Sequence, residues 1–285
     1  MTKDQKELFC SRSSSQEFLL YKTDARPVDD PKDTAVSVEP GKLAQEFPEM
    51  LTGRAFVDNA LARLEGASNF AAMAVRIDDL SAKDGDEKSP PTTDTQLEVA
   101  RTIDAVGKSQ NGTWGLLDSN TFGCFFSDRD ETSATATAES IKSNPASQRK
   151  ATVSIGIAVY PTADFNKDQI LDNAVKALDH AAFFGPDSLV LFDAVSLNIS
   201  GDTFYQKGDI DSAVKEFKTA LALDPSNVNV HNSLGVCYGV MGNFDEAKAA
   251  FLETIRLDPE EIMAVYNLGL VHLLTDQKEK ALKQL

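Results

Sequence analysis

Apolar positions along the chain change period twice, near residue 51 and near residue 194. From Leu51 onward, Phe56, Leu61 and Leu64 recur on one helical face and predict an amphipathic helix. Phe70 to Ile77 is a short apolar run that reads as a strand. A polar loop with Pro90-Pro91 occupies 80–93, and Thr95 to Val106 predicts the next helix. Trp114 to Leu117 and Phe122 to Phe126 predict a hairpin about Ser119-Asn120. Ala134 to Lys142 reads as a helix, Thr152 to Tyr160 alternates as a strand, Ile170 to Phe183 is a helix and Leu189 to Phe192 a short strand. Strands interleaved with helices over 51–193 imply an α+β sheet covered by helices. Residues 1–50 show few such periods. Arg26-Pro27, Asp30-Pro31 and Glu39-Pro40 interrupt them, which predicts a partly irregular tail with Phe18 to Tyr21 as a candidate short strand.

Beyond residue 194 the pattern is helical, and it repeats. Gly201, Gly235 and Gly269 are spaced by 34 residues, as are Ala213, Ala247 and Ala281, and Phe217, Phe251 and Leu285. Pro225 and Pro259 each close a unit as Asp-Pro. This order resembles the L-G-x2-Y…A-x3-F…P pattern of tetratricopeptide (TPR) repeats, with Leu234-Gly235 and Tyr238 its cleanest instance. Phe204 and His272 stand where the other two repeats would hold the Tyr. The resemblance implies an all-α helical-repeat domain over 194–285, with two complete repeats and a third truncated in its second helix. Small residues let the two helices of a repeat approach, the aromatic fills the space beside them, and Pro ends the second helix. Five full or nearly full helices are expected over 197–285, the last one cut short. A solenoid needs a polar helix to cover its last apolar face. The ending therefore reads as that of a fragment, and Leu282 and Leu285 offer a surface for self-association.

The first helix of each repeat is expected to line the concave face. Leu197 to Gln206, Asn229 to Met241 and Met263 to Thr275 contain no Lys or Arg. The family's best-known groove grips acidic C-terminal tails through a basic clamp, and that clamp has no residues here. Residues 194–285 carry 8 basic and 13 acidic side chains, net −5. Asn198, Asp202, Tyr205, Asn232, Val236, Tyr266, Leu270 and Leu273 are the candidate groove residues, and they suit an apolar or mildly basic peptide of a partner protein. His231 and His272 lie on the same helices and read as core or groove side chains rather than metal ligands.

A second resemblance sits at the end of the middle domain. Thr152-Val-Ser-Ile-Gly-Ile-Ala-Val-Tyr-Pro161 is followed by a helix with Ala174, Ala177-Leu178 and Ala181, then Gly185 and Leu189-Val-Leu-Phe192. This resembles the C-terminal half of a GGDEF domain, which makes cyclic di-GMP from two GTP molecules. The resemblance implies a palm-like, nucleotidyl-cyclase-related sheet over 51–193. The signature hairpin falls on Asp118-Ser119-Asn120-Thr121-Phe122, where only Phe122 is kept. Arg76 stands where a magnesium-binding Asp is expected, Asp78 matches the second acid, and Ala182 replaces the phosphate-binding Lys. Ser81 to Lys88 supplies no clear guanine-recognition pair, and the inhibitory site falls on Ser109 to Gly112 without its residues. Magnesium-assisted phosphoryl transfer depends on positioning and electrostatics. A domain altered in this way is expected to be degenerate and not an enzyme.

Other chemistry finds little support. Asp78-Asp79 alternate across a strand and read as a solvated strand end. His180 reads as a helix-surface residue, and Trp114 with Phe122 to Phe126 as sheet core. A net charge of −16 disfavours nucleic acid. No apolar run reaches the ~18 residues of a membrane span, and Met1 to Ser15 has no signal-peptide core. Cys10, Cys124 and Cys237 are scattered, and no cofactor or metal motif is found. A cytoplasmic compartment follows, so that Asn111-Gly-Thr and Asn198-Ile-Ser match the glycosylation pattern by chance. The functional expectation is a non-catalytic scaffold in bacterial signalling. Its competitors are a nucleotide-responsive receptor and an active cyclase with an aberrant motif.

Overall fold

The computed structural model describes residues 42–78, 93–143 and 152–284, with the backbone alone at 283 and 284. Phe18 to Tyr21, Asp79, Ser81 to Lys88, Cys10 and Leu285 lie outside the described residues. The chain divides into two compact units, one ending at Phe192 and the other running from Asp193.

The first unit is a mixed five-stranded sheet. Its strands are β1 (Phe70–Ile77), β2 (Gly112–Leu116), β3 (Thr121–Ser127), β4 (Val153–Tyr160) and β5 (Leu189–Leu191). Their order is β2-β3-β1-β4-β5. Only β4 and β5 run parallel. The helices are α1 (Lys42–Glu46), α2 (Gly53–Arg63), α3 (Thr93–Gln110), α4 (Glu131–Lys142) and α5 (Ile170–Ala181), the last continued by a 3-10 turn, Ala182–Phe184. β1 is paired along both edges and helices cover both faces of the sheet, so its sequence reads as a continuous apolar run. Ala71, Met73, Val75 and Ile77 share one core with Leu97 and Ile103 of α3 and Ile141 of α4.

The opposite face carries a row of small residues across its middle. Gly115 pairs with Gly123, and Ala74 pairs with both Gly123 and Gly156, giving one row across four strands. A Cβ on Gly115 would lie 2.5 Å from the Phe56 ring of α2, and one on Gly156 would collide with the backbone of α5 at Ala174 and Leu178. The small row therefore sets how closely α2 and α5 sit on the sheet.

Three expectations change here. Lys42 to Met50 belongs to the sheet unit rather than to an irregular tail. Leu43 is buried in its core, Phe47 meets Trp114 edge-on at 5.0 Å, and Arg101 holds Glu46 through two bonds of 2.6 and 2.7 Å. His180 is not on the surface. It is 4% exposed and its ring lies 5.4 Å from that of Phe184. Asp78 is not a solvated strand end. Its carboxylate accepts from Thr152 Oγ1 and Ser154 Oγ at 2.7 Å each and from the Asp187 N–H at 2.8 Å. These bonds tie the end of β1 to β4 and to the turn before β5. Lys142 completes the turn by donating to the Asp187 carbonyl at 2.6 Å.

The second unit is helical: α6 (Ala194–Gln206), α7 (Ile210–Leu223), α8 (Val228–Met241), α9 (Phe244–Leu257), α10 (Ile262–Leu274) and α11 (Lys278–Gln284). Five helices of 13 or 14 residues precede one of seven. The first two pairs are each locked by a glycine against an aromatic ring. A Cβ on Gly201 would sit 2.5 Å from Phe217, and one on Gly235 would sit 2.6 Å from Phe251. Phe217 and Phe251 are fully buried. α7 and α9 end before Asp224-Pro225 and Asp258-Pro259, where each Asp is extended, as a residue preceding proline must be. His231 Nε2 lies 2.9 Å from the Pro225 carbonyl, so this ring steadies the inter-repeat turn instead of entering the core or a groove.

Two measurements follow. Phe251→Ala should remove about 3–5 kcal/mol from the helical transition of a urea melt, as a buried aromatic truncation does. A loss below about 1 kcal/mol would mean that the ring does not lock the repeat. Asp78→Ala should cost about 1–3 kcal/mol in the sheet transition, because two hydroxyls and one N–H lose their acceptor. Asp78→Asn, which keeps an acceptor oxygen, should lose less, and an equal loss in both variants would argue against the hydrogen-bond account.

Candidate functional site

Within the helical unit, α8 touches both α6 and α10, while each first helix packs against the second helix of its own repeat. The first helices thus form one layer and α7, α9 and α11 the other. The outer surface of the first layer is the candidate site.

Its chemistry is uneven. On α6, Asp202 and Tyr205 are half-buried. Burial is the main cause that pushes the Tyr205 phenol up to about 12, with Cys237 and then Asp202 adding to it. The Cys237 thiol is likewise raised to about 12 by burial, with a contribution from Asp202. Both groups stay protonated and uncharged near neutrality. Asn198 and Asn232 occupy the same position in consecutive repeats, and both are buried, at 6% and 2% exposure. Among the described residues their Oδ1 atoms have no hydrogen-bond donor.

On α10, Tyr266 and Leu270 are half-buried, and Leu273 is 43% exposed. Val236 differs from expectation. Its helical spacing points to the groove, yet it is fully buried in a cluster with Phe251 and Leu268. The next repeat closes over it, and it is unavailable to a ligand. The same surface gains apolar side chains that spacing alone did not single out. Val240, Met241 and Leu274 are 43–49% exposed. Val240 and Leu274 are themselves 34 residues apart, which is the signal that would have found them. His272 is half-buried behind this surface, and its imidazole is held below its ordinary range by burial, then by Lys248 and Lys280.

The sheet unit places the second set of candidates at one end of β1. Arg76 pairs in register with Thr121 on one side and Ser154 on the other. Its Nη2 lies 3.0 Å from Asp179 Oδ1 on α5. Asp118 and Ser119 are exposed in the turn between β2 and β3. The Asp118 carboxylate accepts from the Asn120 N–H at 2.9 Å and so folds back on its own turn. Thr121 is buried and donates to Asn120 Oδ1 at 3.1 Å. Ala182 is exposed on the 3-10 turn after α5. Trp114 is half-buried, meets the rings of Phe47 and Phe122, and donates to Asp104 at 3.3 Å. Among the described residues no group of three His, Cys, Asp or Glu side chains is placed to hold a metal, and no helix is long and apolar enough to cross a membrane.

Comparison with known proteins matches the helical unit twice. A TPR repeat profile covers residues 201–242 and a tetratricopeptide repeat profile covers 239–285. The peroxisomal targeting signal receptor of Candida albicans is 29% identical over 90 residues, 32% of this chain and 15% of the receptor. A DnaJ protein P58IPK homolog B from Oryza sativa subsp. japonica is 34% identical over 83 residues, 28% of this chain and 18% of that protein. The chain thus spans less than a fifth of these curated relatives. Among solved structures, the second TPR of Spaghetti bound to an HSP90 peptide is 20% identical with a TM-score of 0.32, covering 32% of this chain and 85% of its own. The active GGEEF domain of a Vibrio cholerae diguanylate cyclase is 15% identical with a TM-score of 0.43, covering 50% of this chain and 98% of that domain. With the period of 34, the buried phenylalanines and both profiles in agreement, residues 201–285 are tetratricopeptide repeats.

Proposed function

We propose that this chain is a non-catalytic interaction protein that holds a partner on the first-helix layer of its repeats. The observation that carries the reading is the set of apolar side chains near the C-terminal ends of two first helices, Val240 and Met241 on α8 and Leu273 and Leu274 on α10, which stay 43–49% exposed. Exposed apolar side chains grouped on one face mark interaction surfaces. Relatives of the repeats include a targeting-signal receptor and a peptide-bound structure, and both support the same direction.

The sheet unit is, in this proposal, a degenerate relative of the GGDEF domain that no longer turns over GTP. A divalent cation on a triphosphate needs oxygen ligands. Arg76 brings a positive charge to the strand end instead, and pairs it with Asp179. The side chains present do not fit magnesium there, and no catalytic step is assigned to it. Asp118 adds a carboxylate to the turn that would have to approach polyphosphate.

Two measurements test the proposal. Affinity capture by the full chain from the native cell extract should retain a protein that Leu273→Glu with Leu274→Glu releases. Retention unchanged by both substitutions would sink the surface assignment. Incubation with GTP and magnesium or manganese should yield no cyclic di-GMP, and calorimetry should show GTP binding weaker than micromolar, the level that corresponds to about −8 kcal/mol. Turnover that disappears on changing Asp118 would restore the enzyme reading. Micromolar GTP binding without turnover would favour a nucleotide-responsive receptor.

A further inference from the structure

We propose that the joint between the second and third repeats is a pH-sensitive latch, closed while His272 is neutral and loosened when its ring takes up a proton.

α10, which carries His272, packs against α9 on one side and α11 on the other. Three observations meet at the ring. First, its Nδ1 is buried and has no hydrogen-bond partner among the described residues. A neutral imidazole can leave that nitrogen as a bare acceptor, but an imidazolium makes both nitrogens donors. Protonation therefore buries an N–H with no acceptor, and such a group carries its full desolvation cost.

Second, the charges that face the ring are positive. Lys248 acts on it from α9 and Lys280 from α11. The Lys248 side chain is only 16% exposed, so solvent ions screen it weakly, and its partner Asp245 lies 3.5 Å away on the solvent side. α8 and α10 bring no Asp, Glu, Lys or Arg. In the turn before α11, Gln277 favours the charged ring, while Asp276 pairs with Lys278 at 3.3 Å.

Third, the preceding joint shows the same place filled by a ring that never becomes cationic. Tyr238 stands 34 residues before His272, and Lys218 of α7 lies over its ring at 5.8 Å. A tyrosine face attracts an ammonium, whereas an imidazolium repels one. Burial and the two lysines accordingly hold the His272 imidazole below its ordinary range. The unfolded chain takes up the proton at about pH 6.5, and the packed joint only at a lower pH. The stability of the joint is thus complete above that value and falls as pH drops below it. α10 also carries Leu273 and Leu274, so on the interaction reading above the latch steadies part of the partner face.

Hydrogen exchange of the full chain at about pH 7.5 and about pH 5.5, either side of the ordinary imidazole value, tests the latch once rates are corrected for intrinsic exchange. Protection across α10 and α11 should fall by about tenfold on acidification, the scale of one unit of pKa difference, and that of α6 should hold. His272→Tyr should abolish the fall, with circular dichroism confirming intact helices. His272→Gln carries the same expectation should the larger ring disturb packing, and Lys248→Gln should shrink the fall. The imidazole resonance that His272→Tyr removes should titrate below the ordinary range. An equal fall in the parent and both His272 variants, or a His272 ring titrating at or above about 6.5, would overturn the latch. The latch would stand even if Leu273→Glu with Leu274→Glu released no partner, so the two readings fail separately.

Discussion

The closest approaches between layers of this protein are set by side chains that are not there. In the repeats, Gly201 and Gly235 leave room for the rings of Phe217 and Phe251. In the sheet unit, the row Gly115–Gly123–Ala74–Gly156 lets α2 and α5 lie almost on the backbone of the strands. Dispersion between atoms falls off steeply with separation, so an extra ångström forfeits a large share of the packing energy. The same device thus serves two unrelated architectures, one helix on helix and the other helix on sheet. What each buried phenylalanine contributes depends on the missing Cβ opposite it.

Charge is distributed to suit this packing. The second helices carry it, with Lys215, Glu216 and Lys218 on α7 and Glu246, Lys248, Glu253 and Arg256 on α9, while α8 and α10 hold no Asp, Glu, Lys or Arg. One layer of the array is therefore solvated by ions, and the other presents amides, aromatic rings and aliphatic side chains. At the sheet's end the polar groups bind one another. Asp78 is engaged by Thr152, Ser154 and Asp187, and Arg76 by Asp179. A strand end built in this way spends its polar atoms on holding β1, β4 and the turn before β5 together.

Much of this was legible in the sequence. Phe70 to Ile77 is the span of β1, and the period of 34 located both buried phenylalanines. Residues whose environment is made by a distant element were harder to read. Val236 sits at a groove position on its own helix, but α10 from the next repeat covers it. His180 lies on a helix whose polar positions suggested solvent, and it is buried all the same. Asp78 gained its partners from residues more than seventy positions away. Lys42 to Met50 was a different kind of miss. Leu43, Phe47 and Met50 follow an i, i+4, i+7 pattern, a real helical signal that the neighbouring prolines and charges obscured. The candidate site divided in the same way: the absence of basic side chains came from composition, whereas which apolar ones stay exposed depended on how the repeats close.

The pairing of β1 has a consequence for the order in which the chain acquires structure. β1 is central, and its neighbours are β3 and β4, whose paired residues such as Ser127 and Tyr160 lie far downstream of Phe70. Closing such long loops is slow, because chain entropy is lost before the contacts that reward it form. The glycine–phenylalanine locks of the repeats span only 16 residues, Gly201 to Phe217 and Gly235 to Phe251. Stopped-flow refolding of the full chain should therefore show helical signal rising ahead of the burial of Trp114, and a single shared phase would contradict this. On the ribosome the order of synthesis opposes the order of rates. The sheet emerges first but must wait for β4 and β5, and the repeats that follow can zip within moments of leaving the tunnel.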